Sequence, residues 1–360
     1  MSEEHPRLGK VQTMPIDAPA PDPTRPSDAS TRQRSSMRWQ RLSSIAGQYG
    51  LVIAWAVVAL FFTLLPQTSQ IFPTGNNFAT IFGSQAVIVM LTLALLIPLT
   101  AGDYDLSVGF TLTFSAMLIA VLNVENHWPI VPAVLAAIMA GGLIGVVNGA
   151  FILIFRIDSL IVTLGVGTFV GGLVLLISGS NTIGGVSPGL VDWVIVRRFL
   201  GIPLDFYYGV LLCLIIWYIF EFTPLGRRLL FVGRGRNVAR LSGINVDRVR
   251  LGALISSGVI SAIGGVVYAG TTGAADPTSG TQLLLPAFAA VFLGATTIVP
   301  GRFNPVGSLV AVFFLVTGIT GFQLLGAESY VQNLFYGGAL VIAVALSQLA
   351  RRRQALETGN

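Results

Sequence analysis

Between Thr223 and Arg250 the chain carries seven arginines, Arg227, Arg228, Arg234, Arg236, Arg240, Arg248 and Arg250, against a single acid, Asp247. Apolar runs flank the stretch on both sides. A short loop this cationic is retained on the cytoplasmic side of a membrane, because arginine there resists translocation. The loop is also too organised to be a charge anchor alone. Its segment Asn237-Val-Ala-Arg-Leu-Ser-Gly-Ile-Asn245 has the length for about two helical turns and a glycine stop. The chemistry these residues offer is docking, with an element held out for a cytoplasmic partner.

Other polar candidates are sparse and interrupt apolar sequence. Ala101-Gly-Asp-Tyr-Asp-Leu-Ser-Val-Gly109 separates two apolar runs, and Pro98 ahead of it weakens helix continuity. Asp105 or Ser107 can cap the following helix by accepting backbone N–H bonds. The alternative is a polar path containing Asp103 and Asp105, since broken helix at membrane depth is tolerated only where it lines protein or a water-filled cavity. Acids at that depth cost ~2.5–3.5 kcal/mol each on insertion scales. Asn148 bonds either a polyol or a neighbouring helix, and Thr163 carries the same two readings. Arg156 and Asp158 flank a short turn as a solvated boundary pair. Arg197 and Arg198 lie in the long loop 178–205. They either anchor to lipid headgroups or pair with carboxylates of an external partner. The loop's segment Leu190-Val-Asp-Trp-Val-Ile-Val-Arg-Arg-Phe-Leu200 suits a helix at the membrane interface, and a further short helix is expected near Thr271 to Thr281, around the Asp276-Pro277 turn.

Several chemistries are excluded. His5 and His127 are far apart, and the lone Cys213 sits in an apolar run, so neither a metal site nor a disulfide is expected. Lys10 is the single lysine, so the chain holds no Gly-x-x-x-x-Gly-Lys-Ser/Thr phosphate loop. If ATP drives anything here, a separate subunit hydrolyses it, and the chain itself needs no cofactor. No nucleophile or zinc-protease motif supports an enzyme. The net charge of +5 resides in loops rather than on an aromatic-lined groove, which argues against nucleic acid.

The elements that position these residues are membrane spans. The 360 residues are 53% hydrophobic and only 10% charged, well below the quarter of charged residues usual in soluble domains. Apolar runs cover 45–65, 78–100, 106–122, 131–155, 159–177, 206–222, 251–270, 283–299, 305–325 and 330–349. Most approach the roughly 20 residues that cross a bilayer. The expectation is an all-α polytopic membrane protein of about ten transmembrane helices. Residues 1–44 read as a disordered tail, 45–350 as the membrane domain with the docking loop at 223–250, and 351–360 as a second tail. With the N-terminus inside, 19 of the 21 Lys and Arg fall on the inner side, which places both termini in the cytoplasm. Gly141, Gly145 and Gly149, and Gly167 with Gly171, recur every four residues and mark close helix packing.

Four stretches, in order, carry a family resemblance. Gly102-Asp-Tyr-Asp-Leu-Ser-Val-Gly109 looks like a Gly-x-Asp-Leu-Ser-Val-Gly signature. Asn148-Gly149 and Asp158-Ser-Leu-Ile-Val-Thr-Leu-Gly165 match an Asn-Gly…Thr-Leu-Gly block. Thr223-Pro-Leu-Gly-Arg-Arg228 with Asn237 to Val246 is similar to a cytoplasmic coupling region, and Leu285-Pro-Ala-Phe-Ala-Ala-Val-Phe-Leu-Gly294 fits the block after it. The chain resembles the permease subunits of bacterial ATP-binding-cassette importers for simple sugars, the ribose-permease type, over about residues 80–349. It departs from their pattern at Leu284, Leu285 and Pro286, where an acid is usual, and in Gly294-Ala-Thr-Thr-Ile-Val-Pro-Gly-Arg-Phe-Asn-Pro305, where a glycine-rich run is usual.

The resemblance implies a type II importer-like bundle in the bacterial inner membrane, with broken or short helices. Its partners would be a second permease chain, identical or not, a cytoplasmic ATPase, an extracytoplasmic sugar-binding protein and membrane lipid. Coupling to the ATPase would fall on Arg227, Arg228, Asn237, Ala239, Arg240, Leu241, Gly243 and Ile244. The translocation path would involve Asp105, Ser107, Asn148 and Thr163, and the binding protein would dock at Arg197 and Arg198. Two alternatives stand beside it: a gradient-driven secondary transporter built on Asp105, and a related permease for amino acids or nucleosides.

Overall fold

The computed structural model describes the backbone of residues 48–358 apart from Ser84, and side chains through Gln348. The tail expected at 1–44 and the side chains of the one at 351–360 lie outside the described residues. Every apolar run of the sequence contains a helix among the described residues. In chain order the helices are α1 (Gln48–Leu64), α2 (Gly75–Gly83), α3 (Ala86–Thr100), α4 (Val108–Ala120), α5 (Ile130–Ile154), α6 (Ser159–Ser178), α7 (Pro188–Val191), α8 (Leu204–Phe222), α9 (Pro224–Arg234), α10 (Arg236–Leu241), α11 (Val246–Thr272), α12 (Ser279–Gly294), α13 (Pro305–Leu324) and α14 (Ser329–Thr358). Among the described residues, eight helical stretches, α2 and α3 counting as one, are long and apolar enough to cross a membrane. Two further apolar helices, α1 and α12, are shorter among the described residues, so each of the ten apolar runs expected from the sequence has its helical stretch.

These helices are apolar around their whole circumference, since each face meets either protein or lipid. α3 is the extreme case, with nearly every residue buried. α11 packs along α3, α4 and α5, while α12 packs between α13 and α14. The main core joins α3, α11, α12 and α13 through residues such as Met90, Leu93, Phe288, Phe292 and Leu315. The spaced glycines act as helix packing, as expected. A Cβ on Gly141 would press on Ala262 and the Gly258 carbonyl, and one on Gly167 or Gly171 would press on the Phe110 ring. A Cβ on Gly145 would lie 2.7 Å from Ile255 Cα. The α5 and α11 backbones touch because side chains have been omitted there, and dispersion replaces the hydrophobic effect as the force between helices in lipid.

At one end of the bundle short strands join the loops. β1 (Ile183–Gly184) pairs with β4 (Ala274–Ala275), and β2 (Arg198–Phe199) forms a hairpin with β3 (Ile202–Pro203). Here the sequence expectation needs two corrections. The segment 190–200 is not one interfacial helix: α7 runs into a π-turn at Asp192–Val196 and the chain then reverses at Leu200 and Gly201, both at positive φ. The segment 271–281 holds no separate helix; α11 continues to Thr272, and the Asp276 carboxylate takes the Thr278 N–H and hydroxyl and the Thr182 hydroxyl. Burial works to raise the Asp276 pKa, but these hydrogen bonds hold it below its ordinary value. At the opposite end Asp158 caps α6 through the Leu160 N–H, rather than pairing with Arg156.

Replacing Gly145 with valine is expected to abolish recovery of folded, monodisperse protein after detergent extraction, as read by size-exclusion chromatography. Gly172→Ala, at a position open for 4 Å around, should leave recovery unchanged and gain about 1 kcal/mol of helix propensity.

Candidate functional site

The arginine-rich loop folds into two short helices. The Thr223 hydroxyl caps α9 by accepting the Gly226 N–H, and Pro224 takes the first turn, where its missing N–H costs nothing. α9 is the one strongly amphipathic helix of this end. Leu229 and Val232 are buried, while Arg227 and Arg228 face out. α10 has six residues, close to the two turns expected, and ends in a Schellman turn. Ile244 N–H donates to Ala239 O at 3.1 Å, and Gly243 N–H to Arg240 O at 3.0 Å. Gly243 has φ +79, which a residue with a Cβ adopts only under strain. Asn245 then caps α11 by accepting the Arg248 N–H.

Ala239 is buried against Val232 and Val246 and seats α10 on its neighbours. The opposite face is held out. Leu241 is 90% exposed, and Asn237, Val238 and Arg240 are exposed beside it. Arg240 meets Asp247 at 3.2 Å, with both side chains open to solvent. Next to α10 an open groove of about 360 Å³ is lined by Pro224, Arg227, Arg228, Phe231, Ser242 and Ile244. The structure thus brings all eight predicted docking residues to one knob at one end of the bundle.

Beneath that knob lies the linker 101–107, at the α3–α4 break. Asp103 is 1% exposed, and both its oxygens are taken up by arginines. Arg250 of α11 grips it with two bonds, Nε to Oδ2 and Nη2 to Oδ1, both 2.7 Å. Arg236 of α10 adds a third, Nη2 to Oδ1 at 2.9 Å, and also donates to Gly102 O at 2.8 Å. Gly233 of α9 sits directly on the Thr100 carbonyl, where a Cβ has no room. The role of Asp103 with Arg236 and Arg250 escaped the sequence reading. The only available signal was that a buried acid requires a base, and seven nearby arginines gave no way to choose among them.

The remaining linker residues enter a buried polar cluster. Asp105 Oδ1 accepts the Ser107 N–H at 3.0 Å and the Ser107 hydroxyl at 2.6 Å. Asn148 Nδ2 donates to Ser107 Oγ at 2.8 Å. The Thr163 hydroxyl accepts the Leu106 N–H at 3.0 Å, and the Ser159 hydroxyl accepts the Tyr104 N–H at 3.0 Å. Asp105, Ser107, Asn148 and Thr163, singled out separately in the sequence, are therefore one connected cluster, each at most 2% exposed. Ser107 precedes α4 but makes no side-chain cap; its hydroxyl serves Asp105. Asn148 and Thr163 both bond the linker, Asn148 at the Ser107 hydroxyl and Thr163 at the Leu106 N–H.

Arg197 and Arg198 lie at the other end, away from both groups. Arg197 bonds Asp192 at 2.7 Å and lies 4.0 Å from the centre of the Trp193 ring. Arg198 is exposed on β2. Trp193, Val196, Phe199 and Leu200 form an exposed apolar rim around them.

Asn148→Leu deletes a fully buried donor and leaves the Ser107 hydroxyl oxygen without the hydrogen bond it accepts. The expected loss is about 1–3 kcal/mol, seen as a lower apparent melting temperature of the detergent-solubilised chain.

The family described as "Branched-chain amino acid transport system / permease component" matches residues 77–344. The chain is 30% identical over 303 residues to the D-allose transport system permease protein AlsC of Escherichia coli (strain K12), covering 84% of this chain and 92% of that protein. It is 28% identical over 319 residues to the ribose import permease protein RbsC of the same organism, covering 88% and 98%. It is 29% identical over 343 residues to the L-arabinose ABC transporter permease protein AraH of Azospirillum brasilense, covering 94% and 96%. No solved structure matches the chain. A match over most of the chain, on a bundle of apolar helices with one capped polar knob, makes it a multi-pass membrane transport protein belonging to this family of permease components.

Proposed function

We propose that this chain is the permease subunit of an ATP-driven importer for a simple sugar, seated in the bacterial inner membrane with both termini in the cytoplasm. The observation that carries this reading is the knob of α9 and α10. A helix whose leucine is 90% exposed, ringed by arginines and closed by a glycine turn, is shaped for a partner rather than for solvent. Relatives named for allose, ribose and arabinose transport support a sugar as the cargo. In this reading Val238, Leu241 and the groove by Arg227 and Arg228 seat a cytoplasmic ATPase, which binds the ATP. A second permease chain completes the pore, and a sugar-binding protein docks at the opposite end, on Arg197, Arg198 and the rim around Trp193.

Force then follows a short route. Closure of the ATPase moves α10, and α9 and α11 are continuous with it through turns of one to four residues. α11 runs the depth of the bundle against α3, α4 and α5, so a shift at its foot alters the packing of several spans together. The gradient-driven alternative places a free ionisable group at Asp105, whereas its Oδ1 is bound twice by Ser107. That alternative also leaves the knob unexplained.

In proteoliposomes holding the chain with its ATPase and binding protein, labelled sugar should accumulate only with ATP. Accumulation that survives ATP depletion and stops when ion gradients are collapsed would overturn the reading. Gly243→Val puts a β-branched residue at φ +79, at a cost of about 1–3 kcal/mol. ATPase co-purification and ATP-driven uptake should both fall, while membrane insertion is normal. At the other end, charge reversal of Arg197 and Arg198 together should weaken binding-protein affinity at low salt; an unchanged affinity would leave these arginines as headgroup anchors.

A further inference from the structure

We infer that Asp103 and Arg236 form a releasable electrostatic latch through which engagement of α10 is passed to the linker 101–107 and the buried polar cluster. The inference rests on the permease reading only for the identity of what engages α10.

The two arginines on Asp103 are not equivalent. Arg250 makes two bonds at 2.7 Å, and its side chain is 10% exposed, so it is a fixed support. Arg236 makes one bond to the carboxylate at 2.9 Å, and its side chain is 40% exposed. An ion pair open to water on one side is weak and salt-sensitive, whereas a buried bidentate pair is neither. Breaking the Arg236 contact leaves Asp103 still compensated by Arg250. The contact can therefore open and close without stranding a bare charge in the protein.

Position makes this asymmetry useful. Arg236 is the first residue of α10, directly before Asn237, and α10 carries the most exposed leucine of the knob. A partner that grips Val238 and Leu241 must shift or settle the same six-residue helix. On the other side of the latch, Arg236 also holds Gly102, which has φ +82 and so sits at a sharp turn of the linker. From there the linker backbone reaches Ser159 at Tyr104, Thr163 at Leu106 and, through Ser107, Asn148. Those residues belong to α5 and α6. The route from α10 to α5 and α6 is thus a contiguous chain of hydrogen bonds with one labile member, and that member is the natural two-state element. Asp103 acts here as a positioning residue, since it touches neither the cargo nor ATP.

Asp103→Asn leaves Arg250 facing a neutral partner and can fail to fold, so Arg236→Gln is the decisive variant. The first measurement uses the full-length chain in lipid nanodiscs. Hydrogen exchange of the 103–107 amides should be faster in Arg236→Gln than in the parent, with the α3 and α11 amides unchanged. Arg236→Lys, which keeps the charge, should restore most of the protection. Unchanged exchange at 103–107, or a lysine variant as fast as the glutamine one, would overturn the latch. The second measurement uses the assembled transporter. Sugar moved per ATP hydrolysed should fall by about 5-fold or more in Arg236→Gln, the size of an ordinary coupling between sites, with ATPase binding retained. A parental ratio would overturn the latch. If the parental transporter moves sugar without ATP, the permease reading fails by itself, and the exchange result still decides whether the latch exists.

Discussion

A carboxylate sealed from water must have positive charge against it, and at Asp103 that requirement joins three separate parts of the chain. Arg250 stands at the foot of α11, Arg236 at the start of α10, and Asp103 in the break between α3 and α4. Removing one partner of a buried pair typically costs about 3–5 kcal/mol, because the survivor is left uncompensated. The triad therefore fixes where the α9–α10 knob sits on the bundle. With Gly233 resting on the Thr100 carbonyl, there is little freedom left for the knob to move except by changing that contact.

The rest of the bundle meets the same demand in different ways. Lipid offers no hydrogen bonds, so polar groups near the helix break satisfy one another: Asp105 through Ser107, Ser107 through Asn148, and the linker amides through Ser159 and Thr163. The apolar remainder holds together by backbone approach. α5 and α11 close on each other at Gly141, Gly145 and Gly258, and α12 closes on α13 at Gly294 and Gly307.

Far from this end, the exposed apolar rim beside Arg197 and Arg198 is built on different principles. Its backbone is held by the Arg197–Asp192 pair, the β2–β3 hairpin and the Tyr208 hydroxyl on Trp193 O, so the surface is rigid though it projects. The two ends thus present contrasting faces, a small capped helix set among arginines at one and an aromatic ledge with two cations at the other.

Much of this was legible in the residues. Unbroken apolar runs gave the helices, because length and hydropathy alone decide whether a segment can stay in hydrocarbon. The spacing of Gly141, Gly145 and Gly149 announced close packing, and the glycine of Asn237–Asn245 announced the stop of α10, because close approach and positive-φ turns are local chemistry. Two kinds of feature were not legible. Local runs misled where tertiary pairing prevailed: Leu190–Leu200 looks like one interfacial helix, but the helical part stops at Val196, and pairing of Arg198 and Phe199 with Ile202 and Pro203 turns the rest into a hairpin. The partners of Asp103 were also out of reach. It lies 147 residues from Arg250 and 133 from Arg236, and no periodicity relates them. The sequence by itself determined the nature of the apolar helices and the charge of the arginine-rich loop, since these follow from short-range rules. Only the tertiary structure decided that this loop is bolted to the helix break through one buried carboxylate, because charge compensation depends on distance in space and not on order along the chain.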